Sequence, residues 1–211
     1  MQNKTKVSVT DISAMKRREK ISVLTAYDYS TARLCDKAGI DILLVGDSAG
    51  MVMLGYGSTM PVGMQEMMLF CGAVARGAKR AMIVGDMPFG SYQPSPNLAI
   101  ENAIHLIKVG CDAVKLEGGA EIASTIKAIV DAGIPVMGHI GLRPQTSSLW
   151  EGYKLQGRTK EAANRLIEDA IALEEAGVFS IVLEMVASEV GDAITRRVSI
   201  PTIGIGSGPS C

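Results

Sequence analysis

Short apolar runs alternate with longer segments of helical period along almost the whole chain, and this rhythm constrains the fold more than any other feature. The strand-like runs cover residues 21–27, 41–47, 81–88, 113–118, 135–141, 180–186 and 201–208. They are rich in Val, Ile and Leu on both faces, as strands buried in a parallel sheet should be. Between them, 61–76 sets Met64, Met67, Met68, Cys71 and Ala75 along one side. Residues 96–109 offer Ile100, Ile104 and Ile107, and 160–176 align Leu166, Ala170 and Leu173. Gly39, Gly110, Gly133 and Gly177 stand where helix C-caps are expected, each shortly before the next strand. That is βα repetition, which builds a parallel sheet covered by helices.

Two architectures fit, an open doubly wound sheet and a closed (β/α)₈ TIM barrel. No glycine fingerprint opens the first βα turn, which counts against a dinucleotide fold. Polar residues instead sit at the C-terminal ends of at least five strands, and a barrel gathers such ends around one mouth. The barrel is therefore the expected class. The chain stops at Cys211, just after the seventh strand. An eighth strand and helix are missing from the pattern, so the expectation is a barrel truncated after its seventh strand. Residues 10–19, with Thr10 or Asp11 as cap, read as an extra N-terminal helix. With 211 residues, 47% of them apolar and 20% charged, one domain over 1–211 is expected.

A net charge of −1, with no basic block, argues against nucleic acid or an anionic membrane surface as partner. The longest uncharged stretch, 48–65, is broken by glycines and a proline and cannot cross a bilayer as one helix. Cys35, Cys71, Cys111 and Cys211 show no metal-type pairing, so they read as reduced thiols of a cytoplasmic protein.

Strand alternation converts the acidic residues into a geometry. Leu43, Val45 and Asp47 share a face, as do Met82, Val84 and Asp86. Lys115 and Glu117 point together, opposite to Val114 and Leu116, and Val182 pairs with Glu184. Outward-pointing charges would be buried under helices, so Lys115, Glu117 and Glu184 are expected to face the barrel axis. Asp47, Asp86 and Glu117 then converge. Like charges crowded together persist only when neutralised, and a hard divalent cation such as Mg²⁺ does this well. The alternative is a salt-bridge network in which Lys115 neutralises one acid. Glu184 is a candidate general base, with a plain ion pair as its alternative.

Weaker candidates accompany these. His139 reaches the same mouth, as a core or a catalytic histidine, while His105 reads as structural. Residues 204–208 (Gly-Ile-Gly-Ser-Gly) suit an anion cradle but read better as a tight turn. Tyr153, Lys154 and Arg158 suit a lid or a solvated loop, and the Met-rich run 60–68 suits packing.

Eight ordered blocks carry a family resemblance: Thr-Ala-Tyr-Asp-Tyr-Ser from Thr25, Val-Gly-Asp-Ser from Val45, Thr-Met-Pro-Val from Thr59, Gly-Asp-Met-Pro-Phe from Gly85, Val-Lys-Leu-Glu-Gly-Gly from Val114, Gly-His-Ile-Gly-Leu from Gly138, Gly-Tyr-Lys-Leu-Gln-Gly-Arg from Gly152 and Ile-Gly-Ile-Gly from Ile203. Together they resemble the ketopantoate hydroxymethyltransferase family over nearly the whole chain. The resemblance implies a (β/α)₈ barrel that moves a hydroxymethyl group from 5,10-methylenetetrahydrofolate to 3-methyl-2-oxobutanoate, giving 2-dehydropantoate for pantothenate and coenzyme A. It implies Mg²⁺ on Asp47, Asp86 and Glu117, 2-oxo acid contacts from Asp47, Ser48, Asp86 and Lys115, and Glu184 as base. It also implies a homo-oligomer. The departures are Gly63 in place of a capping threonine, worth about 1 kcal/mol or less, together with Glu151 and Ala49.

Two other readings stay open. One keeps the barrel and metal but makes the chain a C–C lyase of the isocitrate lyase and phosphoenolpyruvate mutase group. The lack of a Lys-Lys-Cys-Gly-His-type loop opposes it. The other is a non-catalytic remnant serving an assembly, opposed by the intact set of inward-facing polar residues.

Overall fold

The computed structural model describes residues 6–146 and 154–211. Strands form where the apolar runs predict them: β1 (Val23–Thr25), β2 (Ile42–Val45), β3 (Met82–Asp86), β4 (Ala113–Glu117), β5 (Val136–Gly141), β6 (Ser180–Glu184) and β7 (Thr202–Ile205). The sheet order follows the chain, β1-β2-β3-β4-β5-β6-β7. The pairs β1·β2, β2·β3, β5·β6 and β6·β7 run parallel. A doubly wound sheet reverses its order at a switch point. This one does not, and its sequence-ordered topology is that of a (β/α) barrel. Two compact units divide the chain, Met1–Val114 and Lys115–Cys211, with β4 starting in the first and ending in the second.

In the first unit, β2 and β3 are buried along their whole length. Helix α1 (Val9–Met15) starts earlier than the 10–19 expectation. Ser8 caps it, accepting from Asp11 N at 3.2 Å while Asp11 Oδ2 accepts from Ser8 N at 2.8 Å. This reciprocal box outcompetes a cap at Thr10 or Asp11. The helix stops short because Arg17 takes a left-handed φ of 62°. Helix α2 (Tyr29–Ala38) is capped by Asp28 and closed by Gly39 at φ 90°. A short α3 (Ala49–Leu54) follows β2.

Helix α4 (Met64–Gly77) buries Met67, Phe70, Cys71 and Val74. Its cap position is Gly63, whose N–H is met by Glu66 Oε2 at 2.7 Å, a partial replacement for the missing threonine. Burial beside Cys111 keeps the Cys71 thiol neutral: a hydrogen bond between the two thiols, then desolvation, push it well above the ordinary thiol range. Helix α5 (Pro96–Lys108) differs from expectation. It buries Ala99, Ala103 and Leu106, leaving Ile104 exposed. The inner stripe thus lies one residue away from the isoleucines.

The second unit holds a 3-10 turn (Ala120–Ile122) leading into α6 (Ala123–Asp131), then α7 (Lys160–Glu175) and α8 (Ser188–Arg197). Ala170 and Leu173 of α7 are buried, as the stripe predicts. All four cysteines are free, Cys71 and Cys111 buried, Cys35 and Cys211 half-buried. Among the described residues no helix is long and apolar enough to cross a membrane.

Asp36 at the end of α2 ties that helix to the α4–β3 turn. Its carboxylate accepts from Lys79 N at 3.0 Å, Arg80 N at 2.9 Å and Ala81 N at 2.7 Å. Burial alone would raise its pKa, but these three donors and Lys6 outweigh it and hold it below 3.8. The ionised form is therefore the folded partner, and its contribution is lost as pH falls below about 4. Asp36→Ala should lower the urea midpoint at pH 7 and leave a smaller deficit at pH 3, below the ordinary carboxylate pKa, where the ionised form contributes less. An equal deficit at both values would rule out this linkage.

Candidate active site

The C-terminal ends of the strands carry the predicted polar groups. In the first unit Asp47 stands two residues past β2 and Asp86 ends β3. Both are buried, and the Asp47 N–H donates to Asp86 Oδ2 at 3.2 Å. The structure thus brings these two acids together. Ser48, half-buried at the start of α3, places its Oγ 2.8 Å from the Tyr27 hydroxyl. Reasoning from the sequence did not single out Tyr27. Its signal was positional: it lies two residues past β1, as Asp47 lies two past β2.

In the second unit Lys115 and Glu117 share a face of β4, with Nζ 3.4 Å from Oε1. This is the ion pair that the salt-bridge alternative expected. His139, on β5, stands beside both: its Nδ1 is 3.1 Å from Lys115 Nζ and 3.7 Å from Glu117 Oε1. Its Nε2 is 3.2 Å from Glu184 Oε2, although that contact lacks hydrogen-bond alignment. A lysine ammonium only donates, so in this contact His139 Nδ1 is the acceptor. His139 is therefore part of the polar cluster rather than an isolated core histidine. The other Glu117 oxygen, Oε2, accepts from Gln145 N at 3.1 Å.

Glu184 closes β6, and the next residue, Met185, takes φ 50°. A non-glycine residue in the left-handed region costs about 1–3 kcal/mol and persists where its surroundings fix it. Here Met185 N donates to Ile205 O at 2.8 Å, and its carbonyl accepts from Gln156 N at 2.7 Å. Ser207 completes the brace, its Oγ donating to Leu183 O at 2.7 Å and accepting from Val186 N at 3.0 Å. The 204–208 loop is thus a turn whose one hydroxyl is spent on β6, as the turn reading expected. His105, Lys154 and Arg158 are exposed. Tyr153 and Glu151 lie outside the described residues.

A family model described as ketopantoate hydroxymethyltransferase matches residues 6–211. The chain belongs to that family. It is 63% identical over 205 residues to a protein of Nitrosopumilus maritimus (strain SCM1), covering 97% of this chain and 74% of the relative. It is 61% identical over 197 residues to one of Cenarchaeum symbiosum (strain A), covering 93% and 74%. Both relatives are named 3-methyl-2-oxobutanoate hydroxymethyltransferase. Among solved structures, a putative phosphonomutase from Burkholderia cenocepacia J2315 superposes with a TM-score of 0.71 at 15% identity, covering 93% of this chain and 83% of that one. That likeness concerns the fold alone. In this member of the ketopantoate hydroxymethyltransferase family, Tyr27 and Met185 are the residues described above that the sequence did not single out.

Ser207→Ala should remove the acceptor of the Val186 N–H, costing about 1–3 kcal/mol in urea unfolding. The Val186 amide should lose hydrogen-exchange protection before the rest of β6. Unchanged protection there would show that Ser207 does not brace the strand end.

Proposed function

We propose that the chain transfers a hydroxymethyl group from 5,10-methylenetetrahydrofolate to 3-methyl-2-oxobutanoate, giving 2-dehydropantoate for pantothenate synthesis. The observation that carries this reading is the family match across residues 6–211, joined to relatives of that name at 61% and 63% identity. The same reading makes it a cytoplasmic enzyme that assembles with copies of itself.

Mg²⁺ belongs to this reading, with Asp47, Asp86 and Glu117 as the residues to hold it. The donor set suits the ion, since these three carboxylates are a group able to hold a metal and hard cations take oxygen ligands. When bound, such a cation polarises a substrate carbonyl as a Lewis acid.

The chain's own groups supply the rest. Asp47, Ser48, Asp86 and Lys115 contact the 2-oxo acid. Glu184 removes the proton from C3 of the substrate, and its side chain is 18% exposed, against 3% for His139 beside it. Lys115 is a fixed cation near the negative charge that develops on the enolate oxygen. C3 then bonds to the one-carbon unit, tetrahydrofolate departs, and water supplies the hydroxyl oxygen.

Calorimetric titration with Mg²⁺ should show binding that strengthens in the presence of 3-methyl-2-oxobutanoate, and turnover should require the folate. Turnover without folate would favour a C–C lyase, and no metal-dependent binding would favour a non-catalytic role. Glu184→Gln should abolish deuterium exchange at C3, followed by proton NMR, while 3-methyl-2-oxobutanoate still binds. Exchange at the wild-type rate would remove Glu184 from the role of base.

A further inference from the structure

Glu117 sits in a closed ring of interactions within the second unit. Its Oε2 accepts from Gln145 N at 3.1 Å, and Gln145 is fully buried. Two residues before Gln145, just past β5, Arg143 pairs through Nη1 with Glu121 Oε1. The other Glu121 oxygen accepts from Gly119 N at 3.1 Å. Gly119 lies two residues after Glu117, so the ring closes on itself. Asp169 of α7 clamps the turn from outside, its Oδ1 accepting from Ala120 N at 2.9 Å. It lies so near that a Cβ at Gly119 would overlap its carboxylate.

As a stabilising device the Glu121–Arg143 pair is poor. Its side chains are 55% and 42% exposed, and solvent-exposed ion pairs contribute little to stability. Its place in the ring gives it another consequence. It fixes the distance between the turn after β4 and the turn after β5, the two backbone segments from which the Glu117 carboxylate is aimed. Glu121 stays ionised for the purpose. Burial would raise its pKa, but backbone N–H groups, its own and that of Gly119, together with Arg143, hold it below the usual carboxylate range.

We infer that Glu121 and Arg143, clamped by Asp169, are positioning residues that set the Glu117 carboxylate for its cation. The inference rests on the assignment of Glu117 to the metal. Partners that orient a metal ligand commonly contribute about 10–100-fold in affinity.

The test is Mn²⁺ binding to the 211-residue chain, read from the free-ion electron paramagnetic resonance signal, beside thermal melting of each variant. Glu121→Gln and Arg143→Met should each weaken Mn²⁺ about tenfold, while the melting temperature falls by no more than about 4 °C. Arg143→Lys, which keeps the charge, should recover most of the affinity, and Glu117→Gln should be weakest. If Glu121→Gln and Arg143→Met bind Mn²⁺ like the wild type while Glu117→Gln does not, the positioning role is overturned. If Glu117→Gln itself binds normally, the metal assignment fails instead. Should one latch variant not fold, the other decides alone, since each breaks the same pair.

Discussion

An ionised side chain taken out of water has to be met by opposite charge or by hydrogen bonds, and this requirement shapes both halves of the molecule. An uncompensated buried ion costs several kcal/mol, comparable to the whole stability of a domain. The buried set here is otherwise apolar, or neutral and polar, as with Thr59, Ser91, Gln145 and Ser180. The four deeply buried charges all lie on or just beyond the C-terminal halves of β2, β3 and β4. Parallel strands buried on both faces have fixed backbones, so a carboxylate at their tips can be aimed without the entropy that a loop would cost to order.

Compensation in the second unit is spread over several elements. Glu117 has Lys115 on its own strand, His139 on β5 and a backbone N–H from the turn after β5. None of these partners is a sequence neighbour in the ordinary sense. Lys115 is two residues away, but His139 and Gln145 arrive only because β5 follows β4 in the sheet. The topology is thus a condition for burying the acid at all.

That dependence explains what was legible in the sequence. The strands were readable because a strand apolar on both faces has a signature of its own, and a charge inside such a run stands out, as at Lys115, Glu117 and Glu184. Alternation gave the face of each acid but not its neighbours. The place of His139 between Lys115 and Glu184 needs the register of β5 against β6, which pairs His139 with Val182 and Gly141 with Glu184. The inner face of α5 was misread because Ile100, Ile104 and Ile107 and Ala99, Ala103 and Leu106 both satisfy helical spacing. Apolar size favoured the first stripe, whereas the structure buries the second. The left-handed Met185 is a backbone property and the Ser207 brace a contact of its hydroxyl with another strand, and neither is announced by residue type.

Glu117 and Glu184 show how one environment separates two identical functional groups. The Glu117 side chain is 3% exposed and held by Lys115 and a backbone N–H, so its carboxylate is fixed in place. The Glu184 side chain is 18% exposed and, among the contacts described above, lies only against His139 Nε2. In the proposed reading the first suits a cation ligand, which needs a fixed position, and the second a base, which needs access to its substrate. Met185 and Ser207 fix the Glu184 backbone rather than its carboxylate, so the strand end is held while the side chain stays partly exposed.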